Sequence, residues 1–225
     1  MSARDLVFAA IRRSLGVTGQ EAPRRHAVST RIAGHPLGVV PARGHLPEAE
    51  RIALFATMHE CAAGTLARVA RHDDVPAAIA EFLRRHNLPL TVQRGADPVL
   101  AALPWDREPA LVVATGAPDP ASLTAVSHAL AGVAETGTLA LVSGADNPTS
   151  LNFLPDNHIV VLDAADIVAD YESVWGRLRE RFSADWPRTV NLITGPSRTA
   201  DIEQTLILGA HGPRRLHVIL IGAAD

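Results

Sequence analysis

The chain has 225 residues, 47% of them hydrophobic, and a formal net charge of −3 with both signs interspersed along it. It is long enough to bury a sizeable core, carries no basic footprint for nucleic acid or an anionic membrane surface, and has no apolar run near the roughly 20 residues that span a bilayer. A single cysteine, Cys61, excludes an internal disulfide, a CxxC pair and a self-contained iron–sulfur cluster; with all 21 basic residues arginine, Schiff-base chemistry, a pyridoxal-phosphate anchor and a Walker A lysine are excluded too.

Residues 3–15 are predicted as a helix, with Ser2 as N-cap, Asp5 three residues on, and Leu6, Ala9, Ala10 and Arg13 at helical spacing before Gly16. This opening lacks the apolar core and cleavage site of a signal peptide, so the expected location is the cytoplasm. From Val17 to Pro47, Pro23, Pro36, Pro41 and Pro47 alternate with Gly19, Gly34, Gly38 and Gly44. That composition opposes long regular structure and predicts a partly ordered arm. The expected organisation is therefore residues 1–47 as helix and arm, and 48–225 as an α/β domain.

Within the domain, helices are predicted at 48–63, 75–86, 165–182 and 198–208, and strands at 66–70, 90–92, 111–114, 139–142, 158–162, 190–193 and 217–221. The strands are continuous apolar runs such as His158-Ile159-Val160-Val161-Leu162. Such runs mark a largely parallel sheet covered by helices on both faces, and alternation with helices gives the α/β class.

Three segments are candidates for chemistry. In Thr194-Gly195-Pro196-Ser197-Arg198-Thr199-Ala200-Asp201, Gly195-Pro196 turns the chain and Ser197 is a candidate cap for the helix that should follow. Free N–H groups there, together with the Arg198 fork, would hold a carboxylate or phosphate at the strand ends. The plain alternative is a well-capped helix with Arg198 paired to Asp201. In Glu135-Thr136-Gly137-Thr138, a carboxylate stands at a strand entrance, and Gly137 permits close backbone approach to a ligand; a simple turn is the competing reading. In the run Asn147 to Pro155, Asn147 and Pro148 should start a short helix. Asn152 then either projects an amide into a cleft or, like Asn147, only ties a turn.

The ten histidines show no HxH or HExxH spacing, so no metal site is expected. His59, His128 and His217 are read as packed or interface residues. No GxSxG elbow or GxGxxG fingerprint is present, and no cofactor is expected.

Ala134 to Leu139 (AETGTL), Asn147 to His158 (NPTSLNFLPDNH), Gly195 to Glu203 (GPSRTADIE) and Gly209 to Pro213 (GAHGP) resemble, in order and spacing, the LUD domain of the lactate-utilisation protein C family. The resemblance spans roughly residues 48–222. It implies a fold similar to the ribose-5-phosphate isomerase and CoA-transferase group. It also implies an accessory role in a multi-protein L-lactate oxidation system whose iron–sulfur and cysteine-rich partners carry the electrons, and a small anionic ligand. Glu135, Thr136, Gly137, Thr138, Gly195, Ser197, Arg198, Thr199 and Asp201 are its motif positions. Two other functions compete: a stand-alone acyl-transfer or ligase-type enzyme using Glu135, by fold analogy, and an anion-sensing regulatory module.

Overall fold

The computed structural model describes residues 2–118, 122–199, 207–209 and 211–222, with the backbone alone for Thr199, Ile207 and Leu208. The chain divides into two units, Met1–Val40 and Pro41–Asp225.

In the first unit, α1 (Ala3–Leu15) begins on the expected reciprocal cap. The Ser2 hydroxyl accepts from the Asp5 N–H at 3.2 Å and the Asp5 carboxylate accepts from the Ser2 N–H at 2.9 Å. Gly16 closes it in the left-handed conformation. The arm reading misses a second helix, α2 (Ala22–Gly34). Pro23 stands in its first turn, where no intrahelical N–H is needed, so it starts the helix instead of breaking it.

The second unit runs α3 (Glu48–Cys61), β1 (Thr65–Val69), α4 (Val75–Arg85), β2 (Thr91–Arg94), α5 (Pro98–Ala101), β3 (Val112–Thr115), β4 (Thr124–His128), β5 (Ala131–Val133), β6 (Thr138–Val142), β7 (Asn157–Asp163), β8 (Ile167–Val168), α6 (Tyr171–Arg181), β9 (Val190–Ile193), β10 (Arg198–Thr199), β11 (Ile207–Leu208) and β12 (Arg215–Ile221). The predicted α/β class holds: six strands in the order β1-β12-β7-β4-β2-β3 form a wholly parallel sheet. Alternate residues of β7 and β12 serve its two faces. Ile159, Val161 and Ile219 pack with Val75, Ile79, Phe82 and Leu83 of α4. Val160, Leu162, Val218 and Leu220 pack with Phe55 of α3 and with Leu139 and Leu141 of β6.

The strand β6 belongs to a second sheet, in the order β8-β5-β6-β9, whose β5–β6 and β6–β9 pairs are antiparallel. Its far side, through Ala131, Val133 and Ala140, buries Val174 and Leu178 of α6. The layers are thus helix, parallel sheet, second sheet with α3, and helix. No helix among the described residues is long and apolar enough to cross a membrane.

Two predicted helices change. The one expected at 165–182 begins at Tyr171, capped by the Asp170 carboxylate accepting from the Ser173 N–H at 2.8 Å, and Ile167–Val168 pair as a strand. The one expected at 198–208 is a pair of antiparallel strands, β10 with β11, in its described parts. Ser197 cannot cap there, because its N–H donates to the Pro213 carbonyl at 2.9 Å and its carbonyl accepts from the Gly209 N–H at 2.9 Å. Both bonds draw the segment into an extended hairpin.

The second sheet is seated on the end of α3 by two glycine turns. Gly137 (φ 67°) lies against the Met58–His59 backbone of α3, and Gly195 (φ 70°) against the carbonyl of Ala62, the residue that caps it, each so close that a Cβ would overlap backbone atoms. His59, fully buried, donates from Nδ1 to the Gly137 carbonyl at 3.3 Å. Gly137→Ala is expected to cost about 2–5 kcal/mol, combining the left-handed backbone with overpacking. Gly222 is also left-handed (φ 77°) but has open space around it; Gly222→Ala should cost about 1–2 kcal/mol. Urea unfolding of the two variants measures the difference.

Burial also fixes the charge of the core histidines. It holds His158 down to about 3 and His217 down to about 4, the latter helped by neighbouring positive groups. Both values lie below the unfolded value of about 6.5, so the unfolded chain binds more protons. Their stabilisation is complete above about pH 6.5 and declines as pH falls towards 4, by up to about 1.4 kcal/mol per histidine per pH unit. Unfolding at pH 5 should therefore take up about two protons through these groups, and His217→Gln should remove about one, read from the pH dependence of urea unfolding.

Candidate functional site

At the end of β9 the chain turns through Thr194 to Ser197 and overhangs the amino ends of β7 and β12. Between them lies a cleft of about 300 Å³, whose lining includes Asn152, His158, Thr194, Ser197, Arg198 and His211. No Asp or Glu is among its described lining residues. The cleft lies at the amino ends of the large sheet because the end of antiparallel β9 supplies the turn. A larger hollow of about 830 Å³, lined by residues 181–188 with Ser143, Gly144 and Thr149, contains none of the predicted site residues. The smaller cleft is the better candidate because unpartnered buried polar groups line it.

The inner end of the cleft is a three-residue network. The Ser127 hydroxyl on β4 donates to Asn152 Oδ1 at 3.2 Å and sits 3.0 Å from His158 Nε2. With its proton committed to Asn152, Ser127 accepts from His158 Nε2–H, which leaves Nδ1 as the bare acceptor of a neutral ring. All three residues are buried, and both Asn152 Nδ2 and His158 Nδ1 lack a partner. Asn152 was predicted from sequence. His158 lies inside the NPTSLNFLPDNH motif yet reads there only as a strand residue, and nothing local marks Ser127, which β4 brings in from a distance.

The turn of β6 joins the cleft through hydroxyls. Thr136 and Thr138 are 2.7 Å apart, Thr138 lies 2.8 Å from the hydroxyl of Tyr171, the chain's single tyrosine, and Thr138 meets Thr194 at 2.6 Å. Thr136 also contacts the Tyr171 hydroxyl, at 3.1 Å. Glu135 does not line the cleft. Its residue is 3% exposed, one carboxylate oxygen has no hydrogen-bond partner, and the nearest cation is Arg43 at 4.0 Å. So enclosed a carboxylate presents no open face to an acyl donor. Gly137 and Gly195 serve the approach of α3, and what they admit is helix backbone.

Arg198 lines the cleft, donates from Nη2 to the Ala62 carbonyl at 3.0 Å, and forms no ion pair among the described residues. Since no helix starts there in the described residues, the expected dipole is not available. The Ser197 N–H is committed to Pro213. Asp201 lies outside the described residues, and of Thr199 only the backbone is described, in β10. Asn147 is not an N-cap: Pro148 holds that place before a 3-10 turn at Thr149–Asn152, and the Asn147 amide donates to the Val142 carbonyl at 3.0 Å.

Away from the cleft, His128 is more than packed. It lies 3.5 Å from Asp97 and 3.9 Å from Asp163, which His72 also approaches, at 3.3 Å. No group of three His, Cys, Asp or Glu among the described residues is arranged to hold a metal ion.

Comparison with known proteins places these features. The uncharacterized protein NMB1437 of Neisseria meningitidis serogroup B is 40% identical over 96 residues, 42% of this chain and 40% of that one. Lactate utilization protein C of Anoxybacillus flavithermus is 35% identical over 89 residues, 40% of this chain and 39% of the relative. The same-named protein of Bacillus subtilis is 35% identical over 91 residues, 40% and 38% of the two chains. The matches thus span about two fifths of the length of these curated relatives. A crystal structure of a DUF162 family protein from Deinococcus radiodurans shares the fold, with a TM-score of 0.57 and 24% identity over 79% of this chain and 99% of that one. Residues 120–221, which hold Ser127, the hydroxyl cluster and the described cleft, match the LUD domain model.

Proposed function

We propose that this chain is an accessory component of an L-lactate utilisation system, and that its cleft binds a small carboxylate. The system is suggested by relatives named lactate utilization protein C. The observation that supports a carboxylate is electrostatic: Arg198 and His211 line a cleft with no acidic residue among its described lining. The arginine fork suits a carboxylate, and the cleft volume suits a molecule of a few carbon atoms. Electron transfer is assigned to iron–sulfur and cysteine-rich partners, since one cysteine cannot ligate a cluster alone.

Calorimetric titration with lactate, pyruvate, phosphate and CoA tests the binding. Arg198→Ala should weaken the carboxylate roughly ten- to hundred-fold, the loss of one charge-assisted hydrogen bond. Because Arg198 also holds the Ala62 carbonyl, a melting curve accompanies the titration. No carboxylate binding below millimolar, or equal binding by a folded variant, rejects the site. The purified chain should not reduce an artificial electron acceptor with L-lactate, and robust lactate-dependent dye reduction would reject the accessory role.

A further inference from the structure

The mild charge of the whole chain is unevenly divided between its two units. Residues 1–40 hold six arginines against two acids, Asp5 and Glu21, a formal +4 within a chain of −3, so that residues 41–225 carry −7. The basic footprint that the averaged charge hides is concentrated in α1 and α2, neither of which buries a residue. On α1, Val7, Ile11 and Leu15 follow one another at i, i+4 and i+8, with Leu6 and Phe8 on either side of that line, so the apolar arc covers more than half of the circumference. These side chains are 43–62% exposed. Arg12 and Arg13 lie opposite, with Asp5. Arg4 falls inside the arc, in the first turn; its guanidinium and that of Arg12 lie 5.4 and 5.8 Å from the Phe8 ring. On α2, Val28 and Ile32, 54% and 66% exposed, are one turn apart and bordered by Arg24, Arg25 and Arg31.

We propose that the first unit is a docking element for an anionic lipid surface, on which α1 and α2 lie without crossing it. The proposal is independent of the cleft and of its ligand. A lipid interface accepts both halves of this surface at once. Its headgroups attract the arginines, each worth about fivefold in partition near an anionic surface, and its acyl boundary takes the apolar side chains. The stem of an arginine beside the apolar arc follows it inward while the guanidinium stays among the headgroups, as Arg4 and Arg12 are placed to do. Other occupants satisfy only half of the surface. A nucleic acid pairs with the arginines and leaves Val7, Ile11 and Leu15 in water. A protein groove takes a helix by a narrow stripe, and the arc of α1 is broader than that. A second copy brings a unit of +4 against another of +4.

Sedimentation of the full chain with vesicles tests this, using phosphatidylcholine alone and phosphatidylcholine partly replaced by phosphatidylglycerol. The chain should bind the mixed vesicles, bind the neutral ones at least about tenfold more weakly, and be released as salt rises. Arg24→Gln with Arg25→Gln should weaken binding about tenfold or more. Ile11→Ala with Leu15→Ala leaves the charge unchanged, and alanine favours the helix, so its expected loss of about tenfold reads the apolar arc alone. All of these side chains are exposed, so both variants should unfold in urea as the parent does, which separates lost docking from lost folding. No sedimentation with the mixed vesicles at low salt overturns the proposal. So does full binding by the Ile11→Ala, Leu15→Ala variant, the mark of plain charge adsorption. A dimer in sedimentation velocity that the same variant dissociates, with no vesicle binding, assigns the apolar arc to a second copy and overturns it too.

Discussion

The arrangement depends on how closely two glycine turns approach the carboxyl end of α3. Gly137 and Gly195 come from opposite ends of the β6–β9 pair in sequence, yet both rest on the same few residues, Met58 to Ala62. A side chain at either position would overlap helix backbone, which cannot move aside as a flexible side chain can. The Gly195 contact holds the Thr194–Ser197 turn, which lines the cleft, against the Ala62 carbonyl just past the end of α3. His59 and Arg198 reinforce it from either side, each donating to a carbonyl across the junction.

Around this junction, polar groups divide by whether they are satisfied. Thr136, Thr138, Tyr171 and Thr194 form a closed set of hydroxyls at 2.6–3.1 Å, which stiffens the β6 entrance and ties it to the β9 turn. Asn152 and His158 are each only half satisfied, through Ser127. In a close-packed interior, a group held rigidly by one bond and left open on the other side is pre-organised for an incoming partner. Asn152 and His158 thus differ from the hydroxyl cluster in each keeping one buried polar atom without a hydrogen-bond partner.

Glu135 shows how a motif position misleads when taken by residue type. A glutamate at a strand entrance suggests a reactive carboxylate, but here it is folded under the segment that carries Arg43 and Gly44, with Gly44 packed on the Ala169 carbonyl. The residues that face the cleft are less reactive in kind and better placed: an amide, a neutral imidazole and an arginine.

What the sequence by itself determined is whatever rests on local chemistry or on strand burial. The Ser2–Asp5 cap, the Gly16 stop and the helices at 48 and 75 follow from capping and periodicity. The central strands β7 and β12 follow from apolar runs that only a doubly covered sheet accepts. The cleft segments were legible as polar turns beside strands, and Asn152 and Arg198 with them. What only the tertiary structure decided is where each polar group points. Residues 198–199 pair with 207–208 as strands because distant carbonyl and N–H groups, Pro213 and Gly209, claim the Ser197 backbone. Ser127 and His158 meet because parallel pairing sets Ser127 against Val160, one step along the same face from His158. Hydrogen bonds between residues a dozen or more positions apart leave no trace in local periodicity, so the fold had to form before the site could be seen.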